Sequence, residues 1–264
     1  MSAEGTANIV GFRTAQSAWL LDASRRTTTR IKPISIVKAF GFSAAPLGFE
    51  SGKCMATSRK ISTPAIQITK PEVFIIESLT MEDEEKGYFE GRVLSDILKM
   101  CGKKPIYYYC RTESELQMLV LMFRESGYRY LHLSCHGSAT SIETTLDSIT
   151  YINFAKMLEG LMKNRRLFVS ACETGNELFS TVVSARNKGM YSIAAPSEQI
   201  RFDHAVALWS AFYVKAFSID NTAMKRKHID SALRKLCQLF LIDFHWSYYR
   251  AEQDKWDHKI IQKT

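Results

Sequence analysis

A chain of 264 residues, 46% apolar and 23% charged, has the make-up of an ordinary globular protein and is long enough to bury a substantial core. No apolar run approaches the roughly 20 residues of a helical membrane span, so a soluble protein is expected. The formal charge of +8 is lopsided: residues 1–70 carry ten Lys/Arg against three Asp/Glu, while the rest of the chain has 25 basic and 24 acidic residues. A nearly neutral body of this kind does not track phosphates, and any nucleic-acid contact is expected only through residues 1–70 or through a partner.

Residues 1–70 read as a basic, partly ordered extension, rich in Ser, Thr, Ala and Arg, with short strands expected at 34–42 and 61–68. This reading is preferred to an organellar transit peptide, because no long amphipathic helix is evident. Residues 71–264 form the second unit. Val73 to Ile76 is a buried strand, and the acidic run Glu82, Asp83, Glu84, Glu85 reads as a loop. Phe89, Val93, Leu94, Ile97 and Leu98 then mark one face of a helix stopped by Gly102. Ile106 to Tyr109 is a strand, and Thr112 with Glu115 forms a capping-box pattern opening a helix that ends at Gly127. A strand from Tyr130 to Ser134 leads into a polar excursion and a short helix near 154–161. The strand Leu167 to Val169, a helix through Leu178, Val182 and Val183, and a strand from Tyr191 to Ala195 follow. A polar loop from Ser197 to Asp203 precedes a helix with Trp209, Phe212 and Tyr213, and a last helix is expected to run from Ile229 as far as Phe244. Strands alternating with helices imply an α/β fold, a mostly parallel sheet flanked by helices on both faces.

Two of these strands end in reactive side chains. The first leads into Cys135-His136-Gly137, and the second, 36 residues on, into Ser170-Ala171-Cys172-Glu173-Thr174-Gly175. The carboxyl ends of strands are where open α/β sheets place their active sites, and a thiol with an imidazole is a minimal set for acyl transfer. Cys172 is read as the nucleophile, helped by the dipole of the helix that follows, and His136 as base and then acid. The N–H groups of Gly137 and Cys172 are the expected oxyanion donors, and Gly175 is expected to let the backbone approach a substrate.

These residues resemble the caspase-like (clan CD) cysteine peptidases, and most of all the CHAT branch that includes separases and bacterial defence-associated proteases. Gly189, the strand to Ala195, Asp203 and Phe212-Tyr213 are similar to that branch's tail, so the likeness spans about residues 71–250. The chain departs from caspases proper in its spacing of 36, against roughly 50. It also has Ala195-Pro196 where a tryptophan is usual. The resemblance implies a cysteine endopeptidase without metal or organic cofactor, acting on a protein substrate and held in check by a protein partner. It further implies a role in bacterial antiviral defence or cell death. By resemblance to separases, Asp203, with Glu198 second, is expected to receive a basic side chain before the cut.

Other readings of single residues stand beside these. Asp203 also fits a solvated carboxylate or helix cap. Strand alternation turns Cys135 away from His136 into the core, and His132 reads as a satisfied buried histidine. Zinc held by His132, Cys135, His136 and Cys172 is disfavoured, since adjacent Cys135 and His136 diverge on a strand. Lys225-Arg226-Lys227 reads as a solvated helix start. The six scattered cysteines, with no CxxC pair and no secretory leader, point to reduced thiols in the cytoplasm. The competing functional reading is a caspase-like fold used as a non-catalytic scaffold.

Overall fold

The computed structural model describes residues 69–264; the strands expected at 34–42 and 61–68 lie outside the described residues. Strand β1 (Lys70–Glu77) is followed by helices α1 (Met81–Lys86) and α2 (Glu90–Met100), strand β2 (Ile106–Tyr109), helix α3 (Glu113–Ser126) and strand β3 (Tyr128–Ser134). Three short strands, β4 (His136–Gly137), β5 (Ser141–Glu143) and β6 (Ser148–Thr150), lead into helix α4 (Tyr151–Met157). Strand β7 (Arg166–Ser170), helix α5 (Glu177–Ala185) and strand β8 (Ser192–Pro196) come next. Helices α6 (Phe202–Ile219) and α7 (Arg226–Phe240) and strands β9 (Phe244–Arg250) and β10 (Lys255–Ile261) complete the described chain.

The main sheet has the order β10-β9-β8-β7-β3-β1-β2. The five strands from β8 to β2 run parallel, and β9 and β10 add an antiparallel edge. Each strand sends alternate residues to opposite faces. Phe74, Ile76, Leu131, Leu133, Leu167 and Val169 enter one core with Leu116, Phe123, Phe154 and Phe179 of α3, α4 and α5. Val73, Ile75, Tyr130 and Phe168 enter the other with Leu94, Leu98, Trp209, Phe212 and Leu233 of α2, α6 and α7. Burial on both faces explains why the strands read as unbroken apolar runs. The α/β class with helices on both faces is the one expected. Among the described residues no helix is long and apolar enough to cross a membrane.

Four local expectations are corrected. The acidic run 82–85 is helical: Thr80 caps α1 by accepting the Asp83 N–H, and Gly87 closes it at φ 74°. The polar excursion after His136 is a three-stranded antiparallel sheet. Helix α6 begins at Phe202, so Asp203 lies in its first turn rather than in a loop. The last helix stops at Phe240, where Leu241 turns left-handed at φ 52°, and Phe244 opens β9 instead. The capping box of α3 forms as expected, with the Thr112 and Glu115 side chains each bonding the other residue's backbone N–H.

At the end of β1 the side chain of Glu77 is fully buried against the start of α2, accepting the N–H groups of Gly91 (2.7 Å) and Arg92 (3.3 Å) and the Tyr107 hydroxyl (2.8 Å). Burial outweighs these bonds and raises its pKa to about 7. The folded state therefore holds a proton that the unfolded chain releases near the ordinary glutamate value of 4.5. This contribution is fully present below pH 4.5 and is lost as pH rises to about 7, costing about 3 kcal/mol above that. Relative to Glu77→Gln, the wild-type melting temperature is expected to fall between pH 5 and pH 8; a constant difference would show that Glu77 is not the group titrating.

Candidate active site

In the parallel part of the sheet the chain moves outward from β1 to β2 and then returns past β1 to β3, β7 and β8, so the direction of winding switches between β1 and β3. At the carboxyl ends of strands, such a switch leaves a crevice. Three segments meet there: α1 after β1, His136 after β3 and Cys172 after β7. Asp83 on α1 lies 2.7 Å from the His136 Nε2. Partial burial opposes ionisation of Asp83, but bonds from Thr80 and His136, with the charges of His136 and Lys86, hold its carboxyl below the usual range. An ionised carboxylate only accepts hydrogen bonds, so Nε2 carries a proton, and in the neutral imidazole Nδ1 is then the nitrogen left with a lone pair. The Thr80 hydroxyl donates to the same carboxylate oxygen at 2.6 Å, fixing its rotamer.

His136 is further held by the edge of Phe202, its ring centroid 5.4 Å away at 80°. His136, Cys172, Glu90, Ile200 and Phe202 line one small cavity of about 30 Å³. The Cys172 Sγ lies 3.5 Å from the Ile200 N–H and 3.8 Å from the Ile200 carbonyl, so the segment between β8 and α6 crosses over the thiol. That strap is tied down at several points. Glu198 bonds Lys263 at 2.6 and 2.8 Å, its carbonyl accepts the Glu173 N–H, and the Ser197 N–H donates to Asp243.

The turn carrying Cys172 is sharp. Glu173 adopts φ 60°, a conformation that costs a non-glycine residue about 1–2 kcal/mol. Among the described residues the Cys172 N–H has no acceptor. The Ser138 N–H donates to Ser141 within the small sheet. Because N–H groups alternate sides along a strand, the Gly137 N–H faces the free side of β4. Gly175 does not meet a substrate: its N–H donates to Pro196 (2.7 Å), and a Cβ there would stand 2.4 Å from the Ala195 carbonyl oxygen. Nor does Cys172 sit on a helix end. Helix α5 starts at Glu177 and is capped by the Asn176 side chain, and a helix dipole fades within its first turn.

Beneath the crevice is a carboxylate that the sequence reading missed. Glu90, 2% exposed, accepts the hydroxyls of Ser134 and Ser170 on one oxygen, both at 2.9 Å. Each serine stands two residues before a candidate catalytic side chain, so Glu90 ties together the ends of the two strands that carry His136 and Cys172. His132 is fully buried, with Nδ1 on the Tyr213 hydroxyl (3.2 Å) and Nε2 3.7 Å from Glu90, beyond hydrogen-bond reach. Cys135 is buried in the core, which drives its thiol pKa up. Asp203 is exposed and bidentate to its own neighbour Arg201 at 2.8 and 3.1 Å, which holds its carboxyl below the usual range. The Glu198 carboxylate is taken by Lys263. The structure thus brings together His136 and Cys172, adds Asp83, and leaves both proposed specificity carboxylates already bound to cations.

No protein-family model matches the chain, and no curated protein matches its sequence. Among solved structures it is similar to a secreted C11 cysteine protease, "iotapain", from Bacteroides thetaiotaomicron, at TM-score 0.46 and 9% identity over 69% of this chain and 67% of that one. It is also similar to caspase-1 from Spodoptera frugiperda, at TM-score 0.45 and 14% identity over 72% of this chain and 85% of that one.

Proposed function

We propose that this chain is a cysteine endopeptidase of the caspase-like type, with Cys172 as nucleophile, His136 as general base and acid, and Asp83 as the residue that orients His136. The observation that carries this reading is the carboxylate–imidazole bond of 2.7 Å beside a thiol lining the same cavity. In the reaction, Sγ attacks the scissile carbonyl while its proton passes to His136 Nδ1. The N–H groups of Cys172 and Gly137 bind the oxyanion. As the C–N bond breaks, His136 returns the proton to the leaving amine; water, deprotonated by His136, then attacks the thioester, the C–S bond breaks to release the acid, and His136 returns that proton to Sγ. No metal or organic cofactor takes part in these steps.

Membership of the CHAT branch rests on Cys135-His136-Gly137 and the Ser170–Gly175 run. A protein substrate, a regulatory partner, a cytoplasmic place of action and a role in bacterial defence or cell death go with that resemblance. The Ile200 N–H stands 3.5 Å from Sγ of a half-buried Cys172, so the segment carrying Ile200 narrows the approach to the thiol. The Lys263–Glu198 pair is half-exposed and worth at most about 1 kcal/mol. Lys263→Ala is accordingly expected to speed labelling of Cys172 by an acyloxymethyl-ketone probe by no more than about fivefold. No change would show that the latch does not hold the strap.

Cleavage of a peptide library by wild type, Cys172→Ala and His136→Ala tests the reading, with loss of all activity expected in both variants. The alternative is a caspase-like fold used as a non-catalytic scaffold, against which the presence of both Cys172 and His136 weighs. Silence under every condition, with Cys172 unreactive to the probe even after Lys263→Ala, would favour that second reading.

A further inference from the structure

Next to the crevice is an apolar hollow of about 510 Å³ between the α1–α2 turn and the start of α6, lined by Tyr88, Phe89, Val93, Phe202 and Val206, with Arg201 and Asp203 at its polar side. Its size falls in the range of about 300–1,000 Å³ typical of ligand pockets. Phe202 belongs both to this cavity and to the small one holding Cys172, and its ring lies between Tyr88 (5.3 Å) and His136 (5.4 Å). Val93 stays 44% exposed although it continues the apolar side of α2. The one carboxylate at the rim, Asp203, is neutralised by Arg201 and offers little to a cation.

We propose that this cavity receives one aromatic or large aliphatic side chain of the polypeptide substrate, close to the scissile bond. The inference rests on the proteolytic reading for what the occupant is, and on the shared Phe202 for where it lies. It replaces the expectation of a basic residue received by Asp203. Burying such a side chain in an apolar pocket is worth a factor of about 10 to 100 in affinity or in kcat/KM.

Two arms on the full-length chain separate the failure of this inference from the failure of the protease reading. The first measures kcat/KM for peptides differing only in Phe, Leu, Arg or Gly at each position around the bond. The second measures binding of the same fluorescent peptides to Cys172→Ala, which needs no chemistry. In both arms Phe or Leu at one position is expected to exceed Gly and Arg by about 10- to 100-fold. Val93→Arg and Val206→Arg, each checked for folding by circular dichroism, are expected to remove that preference. Selective binding abolished by these variants, with no cleavage and no labelling of Cys172 by the acyloxymethyl-ketone probe, would keep the pocket and sink the protease reading. Cleavage with an arginine preference, or with an apolar preference indifferent to both variants, would sink the pocket and keep the protease. Neither binding nor cleavage would overturn both.

Discussion

Asp83→Asn is expected to lower kcat by about 10²- to 10⁴-fold while leaving KM within a few-fold of wild type. The carboxylate does two things for His136. It fixes the tautomer by accepting the Nε2 proton at 2.7 Å, and in the proposed reaction it would stabilise the imidazolium formed when Nδ1 takes the thiol proton. Asparagine has about the same size but lacks the charge, and it can present its amide N–H to Nε2, which would place the proton on Nδ1 and leave no base facing the thiol. A control separates this from loss of helix structure, since Asp83 also belongs to the cap of α1. Thr80→Ala removes the cap acceptor and the 2.6 Å bond to the carboxylate but keeps the charge. The two variants are expected to lose similar stability, about 1 kcal/mol, whereas only Asp83→Asn should lose most of kcat. An Asp83→Asn variant that kept kcat within a few-fold of wild type would make Asp83 a cap and nothing more. The low pKa of Asp83 adds a sign: its stabilising contribution is complete above the ordinary aspartate range and is lost only as pH falls below it, so the pairing persists through the neutral range where the enzyme would act.

Asp83 also shows why the site was half legible in the sequence. His136 and Cys172 announce themselves because each follows a continuous apolar strand and carries a glycine nearby. The helix holding Asp83 has six residues, Met81–Lys86, none of them buried, so it has no apolar face to give a period. The available signal was the spacing of Thr80 and Asp83, an N-cap with a polar residue three positions on. Glu90 was hidden differently, since its partners Ser134 and Ser170 come together only once β3 and β7 pair in register. The antiparallel edge was missed because Cys237, Phe240, Leu241 and Phe244 keep helical spacing across the break, and the left-handed residue there is a leucine rather than a glycine. In β9 the first five residues are buried on both faces, which removes the alternation that marks a strand. The proposed pocket was illegible for a related reason: its walls come from two helix starts far apart in sequence, and the exposed Arg201–Asp203 pair is a contact between neighbours that composition does not reveal.

Gly175→Ala is expected to be among the most destabilising single changes in the chain, at about 3 kcal/mol or more, read as a drop in the urea midpoint without a change of slope. The new methyl would stand 2.4 Å from the Ala195 carbonyl oxygen and 2.5–2.6 Å from the Pro196 carbonyl group, all of it backbone of a central strand that cannot swing away. The same displacement would break the 2.7 Å bond from the Gly175 N–H that docks the Cys172 turn onto β8. Gly137→Ala meets softer surroundings. Its nearest contact, Thr174 Cγ2 at 2.8 Å, belongs to a side chain, but the next, at 2.9 Å, is the carbonyl oxygen of Cys172 itself. The smaller strain therefore falls on Cys172, and a shift of several tenths of an ångström there moves Sγ and the Cys172 N–H relative to His136. Stability is expected to fall by only about 1–2 kcal/mol, while kcat falls about 10²-fold, the usual penalty for a misplacement approaching 1 Å. A Gly137→Ala variant that kept full kcat would show that the β4–Cys172 contact does not set the geometry of the reaction. A Gly175→Ala variant as stable as wild type would show that the turn is not held against β8 as described. Two glycines close to His136 and Cys172 thus test separate demands, one for room against a strand and one for alignment of the two candidate catalytic side chains.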